Sequence, residues 1–294
     1  MREQRPIAHG RQLVCEGDAE KATVNVYFGK QGVSVVLGGK EGELKRMLES
    51  VRNEVLTSFG RPADLRTGSS SAVPLPPPPW IGTDESGKGD FFGPLVAAGF
   101  YAGETEEKAL RALGVKDSKL LSDKRIMEIS DELLKGFDRK SFSVVELDPE
   151  PYNRLYQQFV TEGKNLNHLL AWGHARAIEN ILEQKECPTV IADKFGDEAF
   201  LRSKLLRGTR DRRIRLIQIP RAEQNLAVAA ASILARRRLL EWSRSAERTW
   251  GQVFPKGASP AVEAAARQFV AKHGKENLRK VAKIHFKTAE RVAP

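Results

Sequence analysis

The sequence predicts a mixed α/β sheet flanked by helices, with a small α+β unit ahead of it. Beyond residue 80, short strand-like apolar runs alternate with apolar stripes of helical spacing. A Ser- and Pro-rich stretch at residues 67–79 sets this region apart from a short N-terminal one, its Ser part flexible and its Pro part extended. At 294 residues the chain is long enough to bury one or two sizeable cores. The expected organisation is residues 1–66 as a small domain, 67–79 as linker and 80–294 as the main domain.

Each element follows from a local pattern. Ala22, Val24, Val26 and Phe28 alternate with Thr23, Asn25 and Tyr27, which is strand periodicity. Gly29-Lys30-Gln31-Gly32 supplies a turn into a second strand at residues 33–37. Leu44, Met47, Leu48, Val51 and Val55 then recur at helical spacing, with Gly60 as the stop. A hairpin and one helix are marginal alone, so either an earlier strand near residues 12–16 or the neighbouring domain is expected to support them. No catalytic cluster occurs here, and binding is the expected role. In the main domain, strands are expected at residues 93–101, 142–147, 189–192 and 214–219. Ser122 can cap a helix whose Ile126, Ile129, Leu133 and Leu134 share a face, ending at Gly136. Further helices are expected at 165–184, 224–242, 260–272 and 276–283.

Composition excludes several classes. The formal net charge of +10 favours a polyanionic partner. Cys15 and Cys187 are the only cysteines, so neither a disulfide framework nor C-x-x-C metal spacing exists. No run reaches membrane-spanning length, and Met1-Arg2-Glu3-Gln4-Arg5-Pro6 lacks the apolar stretch of a signal peptide. A cytoplasmic protein without a membrane partner is the expectation. The hydrolase pattern G-x-S-x-G is missing.

The chemistry concentrates in Gly82-Thr83-Asp84-Glu85-Ser86-Gly87-Lys88-Gly89-Asp90. Two adjacent acids precede a glycine-flanked lysine. Acids gather metal cations, and a Gly-Lys-Gly turn lets backbone N–H groups and an ammonium approach phosphate. A P-loop is disfavoured because Gly89 stands where Ser or Thr must hold magnesium. Functional residues of open sheets collect at strand ends. Asp84 and Glu85 follow the strand-like residues 80–83, Asp193 closes 189–192, and Glu223 lies between residues 214–219 and the next helix. Converging there, they would repel one another unless divalent cations intervened. Oxygen-only ligands select Mg²⁺ or Mn²⁺, and two such ions roughly 4 Å apart clamp a phosphodiester. On a regular strand Asp84 and Glu85 face opposite sides, so a backbone turn is expected between them and the glycines. Asp117, Asp123, Asp197 and Glu198 are competing acids. His168 and His174 are six apart, which does not suit a shared metal, and each histidine reads as packing, solvation or phosphate contact.

Basic runs complete the pattern. Arg202, Lys204, Arg207, Arg210, Arg212, Arg213, Arg215 and Arg221 are set against Asp211 alone. Arg236-Arg237-Arg238 follows, and Lys272, Lys275, Arg279, Lys280, Lys283 and Lys287 cluster near the C-terminus. Beside an acidic site these read as rails for a phosphate backbone, positioning a substrate without reading its sequence.

Gly82 through Leu95 resembles the first motif of the type 2 ribonuclease H family, most closely its bacterial HIII group. Asp117-Ser118-Lys119, Asn165-Leu166-Asn167 with His168, Ala229-Ala230-Ala231-Ser232-Ile233-Leu234-Ala235 and Lys283-Ile284-His285-Phe286 agree in family order. The resemblance covers about residues 80–290. It implies an RNase H-like fold and endonucleolytic cutting of the RNA strand of RNA–DNA hybrids, leaving 3′-hydroxyl and 5′-phosphate ends. It also implies that Asp84, Glu85, Asp193 and Glu223 are the catalytic, metal-binding carboxylates, with Glu223 matching the HIII group. By the same resemblance Gly87, Lys88 and Gly89 grip the ribose-phosphate strand near the 2′-hydroxyls. Ser118, Lys119, Ser232 and Arg236 are further expected backbone contacts. The HII group reads single embedded ribonucleotides with a C-terminal tyrosine, whereas the last tyrosine here is Tyr156. Residues 26–39 resemble the later part of the family's TATA-binding-protein-like, hybrid-binding domain, although the unit is shorter. A monomer without an obligate protein partner is expected. Two rival readings are HII-like incision at single ribonucleotides and a non-catalytic nucleic-acid-binding protein.

Overall fold

A computed structural model describes residues 3–7, 10–17, 20–29, 32–39, 42–58, 75–194, 196, 198–205 and 214–292. The chain forms two compact units, Met1–Leu75 and Pro76–Pro294. Residues 59–74, which hold most of the expected linker and the Gly60 stop, lie outside the described residues.

The first unit is a four-stranded antiparallel sheet in the order β1-β2-β3-β4 with one helix. Its strands are β1 (Glu3–Ile7), β2 (Gly10–Glu16), β3 (Lys21–Gly29) and β4 (Gly32–Gly39), and its helix is α1 (Glu43–Ser58). β2 meets the expectation of an earlier strand, and β1 was not foreseen. Pro6 obscured β1, but proline is tolerated on an edge strand, which is where β1 lies. Met47, Val51 and Val55 were expected on the buried stripe of α1 and are instead exposed.

The second unit is built on a five-stranded mixed sheet in the order β7-β6-β5-β8-β9. Its strands are β5 (Trp80–Ser86), β6 (Leu95–Ala102), β7 (Phe142–Leu147), β8 (Thr189–Asp193) and β9 (Arg215–Ile219). β5 pairs antiparallel with β6 and parallel with β8, and β8 pairs parallel with β9. The helices are α2 (Glu104–Ala112), α3 (Asp123–Gly136), α4 (Pro149–Thr161), α5 (Leu166–Leu182), α6 (Glu198–Lys204), α7 (Leu226–Trp250), α8 (Pro260–His273) and α9 (Lys287–Val292). Ser122 caps α3 by accepting from the Arg125 amide, as expected, but Leu134 is exposed while Ile126, Ile129 and Leu133 are buried. The expected helix at 276–283 is a 3₁₀ turn, Lys275–Lys280. The chain beyond it breaks away to bridge Ala282 with Phe92. α7 outruns its expected end at residue 242 and stops at Gly251, whose φ of 63° is left-handed.

Two layers cover the sheet. On one face, Ile81, Val190 and Ala192 pack with Ala175, Ile178 and Ile181 of α5. On the other, the N-terminal half of α7 is buried on every side, from Ala227 through Ala235. Its small residues let the helix sit directly on β5 at Gly82. A Cβ added to Gly82 would lie 2.1 Å from the Val228 amide nitrogen. A second core gathers Phe91, Phe92, Phe254, Val262, Phe269, Leu278 and Val281 around the loop after β5.

Two outcomes follow from this packing. Gly82→Ala meets helix backbone that cannot yield, and its cost should exceed roughly 3 kcal/mol. Gly99→Ala meets the flexible Ile181 δ-methyl at 2.9 Å and the Ala177 backbone only at ordinary contact distance, 3.5 Å, and should cost about 1 kcal/mol or less, both read by urea unfolding. His285 packs on Tyr156 with ring centroids 4.3 Å apart, and burial followed by the field of Lys283 pushes its pKa down to about 4 from 6.5. Between those values the unfolded chain takes up the proton and the folded chain does not, so stability falls as pH drops from 6.5 to 4. His285→Phe should flatten that slope in melts recorded across the same pH range.

Candidate active site

The pairing of β5 with β8 brings the first two acids together. Thr83 is in register with Ala192, so the next rung sets Asp84 beside Asp193 at the carboxyl ends of adjacent parallel strands. β8 in turn carries Asp193 in register with Ile219 of β9. Just past Ile219, Arg221 adopts a left-handed φ of 59° and leads into a 3₁₀ turn, Ala222–Gln224, that holds Glu223. Asn225 then caps α7, accepting from the Ala227 and Val228 amides.

Asp84 and Glu85 were expected at or just past a strand end, reaching one site only if the backbone turned there. Instead β5 runs on to Ser86, because its ladder with β6 continues to Ser86 opposite Val96. The two side chains therefore leave opposite faces of one strand. The turn comes only at Gly87, where φ is +88° and a Cβ would lie 2.1 Å from the Pro94 carbonyl oxygen. Both acids still reach one cleft of about 490 Å³, lined by Asp84, Glu85, Gly87, Lys88, Gly89, Asp90, Ser118, Lys119, Asp193 and Arg236, among others.

The electrostatics tie these groups together. Burial, then the charge of Glu85, raises Asp84 well above the usual carboxylate range, and Asp193 adds to the shift. For Glu85 burial is the largest influence and acts upward, but it is outweighed. The hydrogen bond and attraction of His174, then Lys88 and Lys119, hold its pKa below the ordinary value. Burial works against the charge on Lys119, yet Asp84, Asp117, Glu223 and Asp193 together raise its pKa. All four expected carboxylates thus interact with one ammonium. Glu223 does not line the cleft itself and reaches it only through this field.

Among the described residues, no three His, Cys, Asp or Glu side chains are already gathered as a metal cage. The donor chemistry nevertheless fits a hard divalent cation. The candidate ligands are all carboxylate oxygens, and Asp84 carries a buried repulsion that such an ion relieves. The competing acids are otherwise engaged. Asp117 caps its own turn, Asp123 pairs with Lys256 and Arg236, and Glu198 pairs with Arg202. Asp197 lies outside the described residues.

Several expected substrate contacts hold the protein together instead. Ser232 is buried, donating to the Ala229 carbonyl and accepting from the Ser118 amide at 3.3 Å. Lys283 is buried too, not part of a basic rail. Its Nζ donates to the carbonyls of Asp90 and Gly93 at 2.8 and 2.6 Å, and burial pushes its pKa down to about 7. Asp90 accepts from the Gly257 amide at 2.6 Å. These bonds clamp the loop that carries Gly87, Lys88 and Gly89. Of the arginine triplet, Arg236 lines the cleft, while Arg237 pairs with Asp131 and Arg238 with Glu146. Residues 206–213 of the Arg202–Arg221 run lie outside the described residues. His174 is the residue of this cluster that sequence reasoning missed. It is fully buried and donates to Glu85 Oε2 at 3.0 Å. One signal was available, a lone imidazole on the apolar face formed by Leu170 and Ile178.

A mixed sheet of this order, with acids at the ends of its parallel strands in a cleft that also holds Lys88, Lys119 and Arg236, defines an RNase H-like nuclease. The sequence matches the Ribonuclease HII family over residues 81–289. Ribonuclease HIII of Protochlamydia amoebophila is 43% identical over 239 residues, 81% of this chain and 74% of that one. Ribonuclease HIII of Chlamydia pneumoniae is 39% identical over 241 residues, 81% of this chain and 78% of that one. Among solved structures, Bst-RNase HIII in complex with Mn²⁺ superposes with a TM-score of 0.67 at 27% identity, covering 99% of this chain and 92% of that one. Aquifex aeolicus RNase H3 gives 0.57 at 29% identity, covering 93% and 91%. The chain belongs to the ribonuclease HII family of endoribonucleases, within its HIII group. No described helix is long and apolar enough to cross a membrane.

The raised Asp84 carboxyl sets one expectation. With metal chelated, Asp84→Asn should raise the melting temperature at neutral pH, by roughly 2–4 °C per kcal/mol relieved. A carboxyl whose pKa is raised by folding destabilises only when ionised. The gain should therefore shrink as pH falls toward the ordinary carboxylate range, which melts in chelator at a series of pH values will read.

Proposed function

We propose that this protein hydrolyses the RNA strand of RNA–DNA hybrids endonucleolytically, leaving 3′-hydroxyl and 5′-phosphate ends. Asp84, Glu85, Asp193 and Glu223 hold two Mg²⁺ or Mn²⁺ ions. The carrying observation is the register that sets Asp84 beside Asp193, in a cleft shared with Glu85 and Lys119. When bound, such ions supply Lewis acidity to the scissile phosphate and a nucleophile at neutral pH. Support also comes from the Mn²⁺ complex of a related ribonuclease HIII.

The chain's own residues supply binding and orientation. Lys88, Lys119 and Arg236 bring positive charge to the cleft. A Cβ on Gly89 would meet nothing within 4 Å, so no packing within the chain demands glycine there. Close approach of a ribose-phosphate strand does demand it. Lys283 and Asp90 keep that loop in place for the strand.

An end-labelled hybrid, an all-DNA duplex, an all-RNA duplex and a DNA duplex with one ribonucleotide, each with and without Mg²⁺ or Mn²⁺, test the proposal. Cleavage should be confined to the hybrid and require metal. Asp84→Asn and Asp193→Asn should each lose at least on the order of 10²-fold in rate while hybrid binding persists and weakens steeply with salt. Full activity in either variant ends the assignment, and prompt incision at the lone ribonucleotide favours HII-like specificity.

A further inference from the structure

We propose that His174 is the positioning residue that anchors Glu85 between the α5 face of the sheet and the cleft, so that one carboxylate oxygen is held by the protein and the other is left for metal. The proposal rests on the reading of Glu85 as a metal ligand and adds the device that makes it one.

Strand geometry creates the problem that His174 solves. Asp84 and Glu85 are neighbours on a regular strand that continues to Ser86, so their side chains diverge. Asp84 leaves on the face of Gly82, against α7, and Glu85 leaves on the face of Thr83 and Ile81, toward α5. A glutamate pointing into a helix layer does not reach a cleft at the strand end without being steered. Its two oxygens have different partners. Oε2 accepts from His174 Nε2 at 3.0 Å, and Oε1 lies 3.6 Å from Lys88 Nζ, a residue of the cleft. The carboxylate therefore spans from the buried helix face to the opening.

The position of His174 is itself set by close packing. Glu85 is in register with Ala97 on β6. Gly173, the residue before His174, packs against that same Ala97, where a Cβ would lie 3.1 Å from the alanine Cβ. One helix turn on, a Cβ on Gly99 would lie 3.5 Å from the Ala177 carbonyl oxygen. Two glycines, one on the helix and one on the sheet, thus seat α5 low over β6 and bring the imidazole within reach of Glu85. Hydrogen bonds from protein groups to a ligating carboxylate orient it, and their loss weakens metal affinity about 10–100-fold.

The test compares two amides of equal polarity and different reach. In His174→Gln the longer side chain retains a donor for Oε2, and in His174→Asn it falls short. Mn²⁺ binding is titrated by electron paramagnetic resonance in full-length wild type, both His174 variants, Glu85→Gln and Gly173→Ala. Melting temperatures are measured in chelator, and hybrid cleavage is measured against Mn²⁺ concentration. The expected result is Mn²⁺ affinity weakened about 10–100-fold in His174→Asn and restored most of the way in His174→Gln. Gly173→Ala should weaken it to a lesser degree, with the imidazole intact but displaced. The Mn²⁺ concentration needed for half-maximal cleavage should shift in parallel. Wild-type Mn²⁺ affinity in His174→Asn, with only the chelated melting temperature lowered, would make His174 a packing residue and overturn the proposal. Equal Mn²⁺ binding by wild type and Glu85→Gln would instead remove Glu85 from the metal site, and the functional reading would fall with the inference.

Discussion

The close seating of α7 on β5 at Gly82 is the contact on which the site depends. A strand end carries a functional acid only if something fixes where that strand stops and what lies over it. The 2.1 Å that a Cβ would leave to the Val228 amide means the helix backbone rests on the strand itself. That contact sets the height of the N-terminus of α7, and with it Asn225 and the 3₁₀ turn bearing Glu223. The parallel ladder between β5 and β8 then leaves Asp84 and Asp193 abreast on the same face. Sequence separations of more than a hundred residues collapse to one rung of a sheet.

Gathering acids in a half-closed cleft has a cost, and the protein handles it in two ways. Asp84 is left strained, its carboxyl raised by burial and by like charge. Glu85 is satisfied, held by His174 and attracted by Lys88 and Lys119. The asymmetry suits the proposed metal site, in which one acid is held by the protein and the other carries the repulsion that a cation would relieve. A site with every acid satisfied would bind metal poorly, and one with every acid strained would not fold.

The loop after β5 is held by parts of the chain nearly two hundred residues away. Asp90 takes the Gly257 amide, the Phe91 amide donates to the Gly257 carbonyl, and the Lys283 ammonium closes on the Asp90 and Gly93 carbonyls. Phe91 and Phe92 sink into the aromatic core beneath. Gly87 turns and Gly89 stays bare above this hydrogen-bonded base. The C-terminal Lys-Ile-His-Phe motif is therefore scaffolding for the Gly-Lys-Gly turn, with Lys283 under it and His285 stacked on Tyr156.

The sequence alone determined the fold class, the main strands and helices of the second unit, and the four acids worth watching. Those signals are local. Strand alternation, capping by Ser122, and acids next to strand ends all act within a few residues, so periodicity and spacing report them. Tertiary structure decided the rest. Whether β5 ended at Thr83 or ran to Ser86 depended on its partner β6, and that choice put Asp84 and Glu85 on opposite faces. Lys283 and Ser232 read as solvent-facing phosphate contacts until burial gave them carbonyl and amide partners inside the chain. His174 looked like packing because its partner lies 89 residues away on another element. A side chain's type is written in the sequence, but its partner is a matter of which surfaces meet, and that is set only when the sheet and helices close on one another.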